Sequence, residues 1–240
     1  MINKKGYTFA EALICLGIIS ILAAITLPKV IANFDKHVNG VTLGRTVELL
    51  QTGMTNVIQE AQNQNQNGNA FSNLSAIRLS DIGLEGNTYI TDGDNLFQNI
   101  ISFINLTEDN TYNIENIKTY TGDDPSDDAI SGYTAYRLAK TGSVVMYKSI
   151  DGEADFNDDN TILASILIDT NGDKAPNNFG KDIFLFGLAN NGILIPAGTQ
   201  AYFDSEDINP QTVVNGCSDT PGNGISCASR VMADKWEIKY

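Results

Sequence analysis

The first thirty residues limit what this chain can become more than any other stretch. Lys4 and Lys5 precede Gly6, and Tyr7-Thr8-Phe9-Ala10-Glu11 then leads into an apolar run that reaches Pro28. Between Lys5 and Lys29 the only side chain that normally carries charge is Glu11. The uncharged stretch Ala12–Pro28 holds 17 residues, near the lower end of the roughly 17 to 25 that span a bilayer. A lone carboxylate at the start of a membrane helix is costly, so Glu11 requires a compensating partner. An ordinary secretory signal, cut near Ala23-Ala24, would hold Glu11 in an apolar core where acids do not belong. A plain membrane anchor would give it no role.

At these residues the chain resembles the type IV pilin and type II secretion pseudopilin superfamily. In that family a prepilin peptidase cuts after a glycine, the new first residue is methylated, a glutamate stands fifth in the mature chain, and a proline often stands twenty-second. Counting from Tyr7, Glu11 is fifth and Pro28 is twenty-second. The family more often begins with Phe, so Tyr7 departs from the pattern at the methylated position.

The resemblance implies processing at Gly6 and Tyr7 and assembly through Glu11 and Pro28. It implies prepilin peptidase, other pilin or pseudopilin subunits and an inner-membrane assembly platform as partners. The precursor is expected in a bacterial inner membrane with its ectodomain outside the cytoplasm, bound for a periplasm-spanning or surface filament. The expected role is a structural subunit of a type II secretion pseudopilus or type IV pilus. Two alternatives remain open: a minor pilin with a calcium-dependent adhesive or ligand-binding ectodomain, and a competence pseudopilin for DNA uptake.

With 240 residues and 42% hydrophobic content, the chain can bury one globular core beyond the apolar helix. Its formal charge is −14, and the acids cluster: residues 81–128 carry eleven Asp or Glu against one Lys. Residues 151–240 carry fourteen against five Lys or Arg. Such a surface repels phosphate backbones, so direct nucleic-acid binding is not expected. It suits extracellular solubility and cation binding.

The organisation expected is a leader over 1–6, a transmembrane and assembly helix over 7–31, its amphipathic continuation over 32–66, and an ectodomain over 67–240. Ile31, Phe34, Val38 and Val41, then Val47, Leu50, Met54, Val57, Ile58 and Ala61, recur at helical spacing. Pro28, Gly40, Gly44 and Gly53 weaken that helix, predicting kinks or local melting in its first half. The polar run Gln62–Asn69 predicts its end. Asp94 can cap a short helix carrying Leu96, Phe97, Ile100, Ile101 and Ile104, and Gly122–Asp128 reads as an acidic turn. Short β-rich runs follow at 133–140, 143–149, 161–169, 182–189 and 192–195, with a tight hairpin at Asn190-Asn191-Gly192. A long helix followed by antiparallel strands is an α+β order, and the resemblance makes it pilin-like, the helix packed on an antiparallel sheet.

Cys217 and Cys227 flank a turn rich in Pro and Gly, and in an oxidising compartment a disulfide is the natural reading. Cys15 sits in the apolar helix as a small apolar residue, and His37 lies on a polar helical face. Asp169-Thr170-Asn171-Gly172-Asp173 places oxygen side chains at alternate positions ahead of Asp182, and Asp151 to Asp159 repeats the alternation. The first loop starts like a calcium loop, yet Lys174 and Gly180 stand where the EF-hand pattern wants Gly and Glu. Two readings stand: calcium held by Asp169, Asn171, Asp173 and Asp182, or a solvated turn. No cofactor is required on either. Residues 166–196 also bear a looser likeness to the ectodomains of prepilin-type proteins. Trp236 and Tyr240 read as packing aromatics. No nucleophile, base or phosphate-binding set emerges, so an enzyme is not expected.

Overall fold

The computed structural model describes residues 8–64, 71, 73–91, 96–150, 161–199, 217 and 224–240, without the side chains of residues 99, 100, 102 and 128. Gly6, Tyr7, Asp94 and the second acidic alternation at 151–159 lie outside these residues. The fold is α+β: a long N-terminal helix and a six-stranded antiparallel sheet. Its contacts separate two compact units, residues 1–38 and 39–240.

Helix α1 runs over Phe9–Gln64 without interruption, through Pro28 and all of its glycines. In the first unit its large apolar side chains are exposed, from Phe9 at 81% to Phe34 at 64%. The polar ones are satisfied within the helix: Ser20 Oγ donates to the Leu16 carbonyl at 2.8 Å and Thr26 Oγ1 to that of Leu22 at 2.9 Å. Internal satisfaction is what a lipid environment demands of a spanning segment. Among the described residues this is the one helix long and apolar enough to cross a membrane. His37 is exposed, as its polar face predicted.

In the second unit, Leu43, Val47, Leu50, Met54, Val57 and Ala61 of α1 are fully or almost fully buried. Burying such a side chain contributes about 1.5 to 3 kcal/mol each. Val41 lies outside this face at 45% exposure, a correction to the expected stripe. The spacing explains it: Ile31, Phe34, Val38 and Val41 would continue to Arg45 and Glu48, whereas the buried face restarts in a different phase at Leu43.

The expected weak points of α1 are packing notches. A Cβ on Gly40 would overlap the Trp236 carbonyl, one on Gly44 would lie 2.8 Å from the Trp236 indole, and one on Gly53 would lie 2.6 Å from Ile104 Cγ1. The lost helix propensity at these sites is offset by close contact, and the helix does not break.

Helix α2 covers Leu96–Ile104, and a four-residue helical turn α3, Asp127–Ile130, replaces the last part of the expected acidic turn. The strands are β1 Leu106–Glu108, β2 Thr134–Leu138, β3 Val144–Ser149, β4 Ile162–Asp169, β5 Ile183–Ala189 and β6 Leu194–Pro196. They pair in chain order, each antiparallel to the next. Strand β1 was not legible because three residues with one buried side chain carry no alternation; β2 recruits it by pairing Leu106 with Leu138. The expected β5–β6 hairpin forms, with the Gly192 amide donating to the Ala189 carbonyl at 2.8 Å. Helix α4, Cys227–Ala233, follows the sheet.

Both faces of the sheet are covered, which is why β4 and β5 read as nearly continuous apolar runs. Val145, Tyr147, Ile166, Ile168, Phe184 and Phe186 face the core shared with α1. Val144, Met146, Leu167, Ile183 and Leu185 point the other way, to a smaller core closed by Tyr112, Ile117 and Phe179.

Candidate functional site

Two places carry the residues singled out in the sequence: the start of α1, and the connection between β4 and β5. At the start of α1, Thr8 and Glu11 cap the helix reciprocally. The Thr8 amide and hydroxyl each donate to Glu11 Oε2 at 2.8 Å, and the Glu11 amide donates to Thr8 Oγ1 at 3.3 Å. This is a capping box, in which the third helical residue reaches back to the cap. The Thr-x-x-Glu spacing signals it, though the carboxylate reads first as a membrane burden. Pro28 lies inside the continuous helix, in the exposed apolar stretch.

Asp169 ends β4 and Asp182 directly precedes β5, so the sheet register places them at the base of one loop. Both are fully buried. The Thr170 amide closes that base by donating to the Asp182 carbonyl at 2.9 Å. Asp169 Oδ1 accepts the amides of Asn171 (3.0 Å) and Gly172 (2.9 Å), and Oδ2 accepts the Tyr112 hydroxyl at 2.6 Å. Gly172 has φ +69°, the left-handed conformation that this turn needs and glycine adopts freely. Asp182 Oδ1 accepts the Asn178 amide at 2.6 Å. Its Oδ2 accepts the Asn177 amide at 2.9 Å and Asn171 Nδ2 at 3.0 Å. Asn178 then donates from Nδ2 to the Thr119 carbonyl at 2.9 Å, tying the loop to the preceding segment.

The electrostatics follow from burial. Desolvation pushes the Asp169 carboxyl up to about 7, against the hydrogen bonds from Tyr112 and the loop amides, and the charge of Asp182 pushes it the same way. Burial also raises Asp182, against the amides of Asn178 and Asn177. Burial and the neighbouring Asp169 hold the Tyr112 hydroxyl firmly protonated, so it acts as a donor.

Of the four residues read as calcium ligands, three come together and one does not. Asp173 turns outward, 69% exposed, and pairs with Arg137 at 3.0 Å, while Arg137 also holds Asp109 at 2.6 Å. Each buried carboxylate already accepts three hydrogen bonds from the chain itself, so protein donors occupy much of the lone-pair space that a cation would use. Asn171 Oδ1 and Asn177 Oδ1 are buried without a hydrogen-bond partner among the described residues. Local spacing could not reveal Tyr112, which lies 57 residues from Asp169 in the chain.

The Cys217–Cys227 disulfide is present. Both sulfurs are buried, and Arg230 Nη1 donates to the Cys217 carbonyl at 2.9 Å. Trp236 and Tyr240 pack as expected, Tyr240 donating its hydroxyl to the Gly180 carbonyl at 2.9 Å.

Comparison with known proteins returned no match to a family model, a curated protein or a solved structure.

Proposed function

We propose that this chain is a pilin-like structural subunit of a type II secretion pseudopilus or type IV pilus, processed between Gly6 and Tyr7 and assembled through its N-terminal helix. The observation that carries the reading is α1 itself. Its Phe9–Phe34 stretch exposes apolar side chains far beyond what a soluble surface tolerates, and Glu11 stands in its first turn. A membrane can cover that surface in the precursor, and neighbouring copies of the helix can cover it in a filament.

In such a bundle Glu11 would lie in a low-dielectric environment, where a carboxylate needs a positive partner. Cleavage creates one, the amino group of Tyr7. The Thr8 cap satisfies hydrogen bonds of Glu11 but supplies no opposite charge, so the need for a cation persists. The partner amino group would come from the adjoining subunit, and Glu11 would then set the axial register. Crosslinking of subunits in the native envelope tests this. Wild type should form ladders of crosslinked copies, and Glu11→Leu at equal expression should remain monomeric in the membrane. Equal ladders from both would refute the register role.

The β4–β5 loop is assigned a structural part in this reading. Its two buried carboxylates organise the chain around them with their own hydrogen bonds, giving the ectodomain a cross-braced surface loop.

A further inference from the structure

The chain crosses α1 at Gly40 and Gly44 through Trp236 and Glu237. After α4, Lys235 and Trp236 both take left-handed backbone conformations, with φ +58° and +65°. For non-glycine residues such a conformation is strained and persists only when its surroundings enforce it. Here the enforcement is visible. The Lys235 and Trp236 amides donate to the carbonyls of Met232 (3.1 Å) and Val231 (2.8 Å), closing the end of α4. The turn carries the Trp236 carbonyl onto Gly40 and its indole onto Gly44. Ile238 and Tyr240 are then buried, and Tyr240 bonds to Gly180. On the same side, Asn39 Nδ2 donates to the carbonyl of Lys181, next to Gly180, at 3.3 Å.

The segment covers the weakest part of α1 within the globular unit. Gly40 and Gly44 are poor helix formers relative to Ala, and Asn39 adds another. We propose that Lys235–Tyr240 is a strap that sets where the firmly held part of α1 begins within the globular unit. With the strap seated, the part of α1 held in the globular unit begins at Asn39. With it lifted, the helix opens locally through Gly44, while Leu50–Ala61, buried against the sheet, remain folded. The device depends on residues brought together from opposite ends of the chain, and it does not require the assembly reading above.

Hydrogen exchange on the full chain in detergent micelles tests it, together with the fluorescence of Trp236, the only tryptophan. In Trp236→Ala, amides of residues 39–46 should exchange at least about tenfold faster, with residues 50–61 unchanged. Unchanged exchange over 39–46, or equal acceleration over 50–61, would overturn the strap. Gly44→Ala separates this from a simple effect on helix propensity. The added methyl stabilises the isolated helix but displaces the indole, so Trp236 emission should shift to the red and its quenching by acrylamide should increase. Emission and quenching like wild type would show that Gly44 does not seat the strap.

Discussion

Thr8 and Glu11 exchange hydrogen bonds in both directions at the first turn of α1, so the residue proposed to position subunits also caps its own helix. The two roles separate by substitution. Glutamine can serve at this capping position in place of glutamate but carries no charge. Glu11→Gln should therefore keep the start of the helix ordered and still lose incorporation into filaments, whereas Glu11→Leu should lose both. Incorporation of Glu11→Gln at the wild-type level would leave Glu11 as a cap alone.

Stability should depend on pH through Asp169. An unfolded aspartate titrates at about 3.9, and burial pushes Asp169 up to about 7 in the fold. The folded state therefore holds that proton more tightly. The stabilisation from it is complete below about pH 4 and is lost as pH rises through about 7, and the raised Asp182 acts in the same direction. The melting temperature should be higher at pH 5 than at pH 8. Asp169→Asn should shrink that difference while keeping an acceptor for the Asn171 and Gly172 amides. A variant with the full wild-type pH dependence would show that the proton binds elsewhere.

Calcium should leave the melting temperature unchanged relative to chelator, because the donors at Asp169 and Asp182 come from the protein and Asp173 is held by Arg137. Calorimetric titration checks this. A ligand at 100 times its dissociation constant would stabilise the fold by about 2.7 kcal/mol, and a shift of that size abolished by Asp182→Asn would establish a cation site.

The disulfide closes a short loop, Cys217 and Cys227 being 10 residues apart. Replacing both cysteines by serine should cost about 2.5 to 3 kcal/mol in the chain-entropy account. Lost packing of the Cys227 sulfur against Gly180 adds to that cost. Urea unfolding should show an earlier midpoint with a similar slope, and an unchanged midpoint would remove the staple from the account.

Much of this architecture is written locally and can be read that way. Strands β2 to β6, the Asn191-Gly192 hairpin and the cysteine pair follow from β-rich apolar runs, turn chemistry and spacing. The rest depends on partners distant in sequence. Gly40 and Gly44 read as weaknesses until Trp236 fills them, and the phase change between Val41 and Leu43 makes sense only where the helix meets the sheet. Nothing near Asp169 announces Tyr112, and nothing near Leu106 announces that β2 will make it a strand. The alternating oxygens at Asp169, Asn171 and Asp173 read as a calcium loop or a solvated turn, and neither reading announces that Arg137 on β2 draws the third outward.

Whether the apolar helix belongs to a processed assembly subunit is read from the mass of the intact protein extracted from its native membrane. The mature chain should begin at Tyr7, with or without one added methyl group, and retain the whole of Phe9–Gln64. A chain that begins after Ala24, with the apolar segment removed, would contradict it.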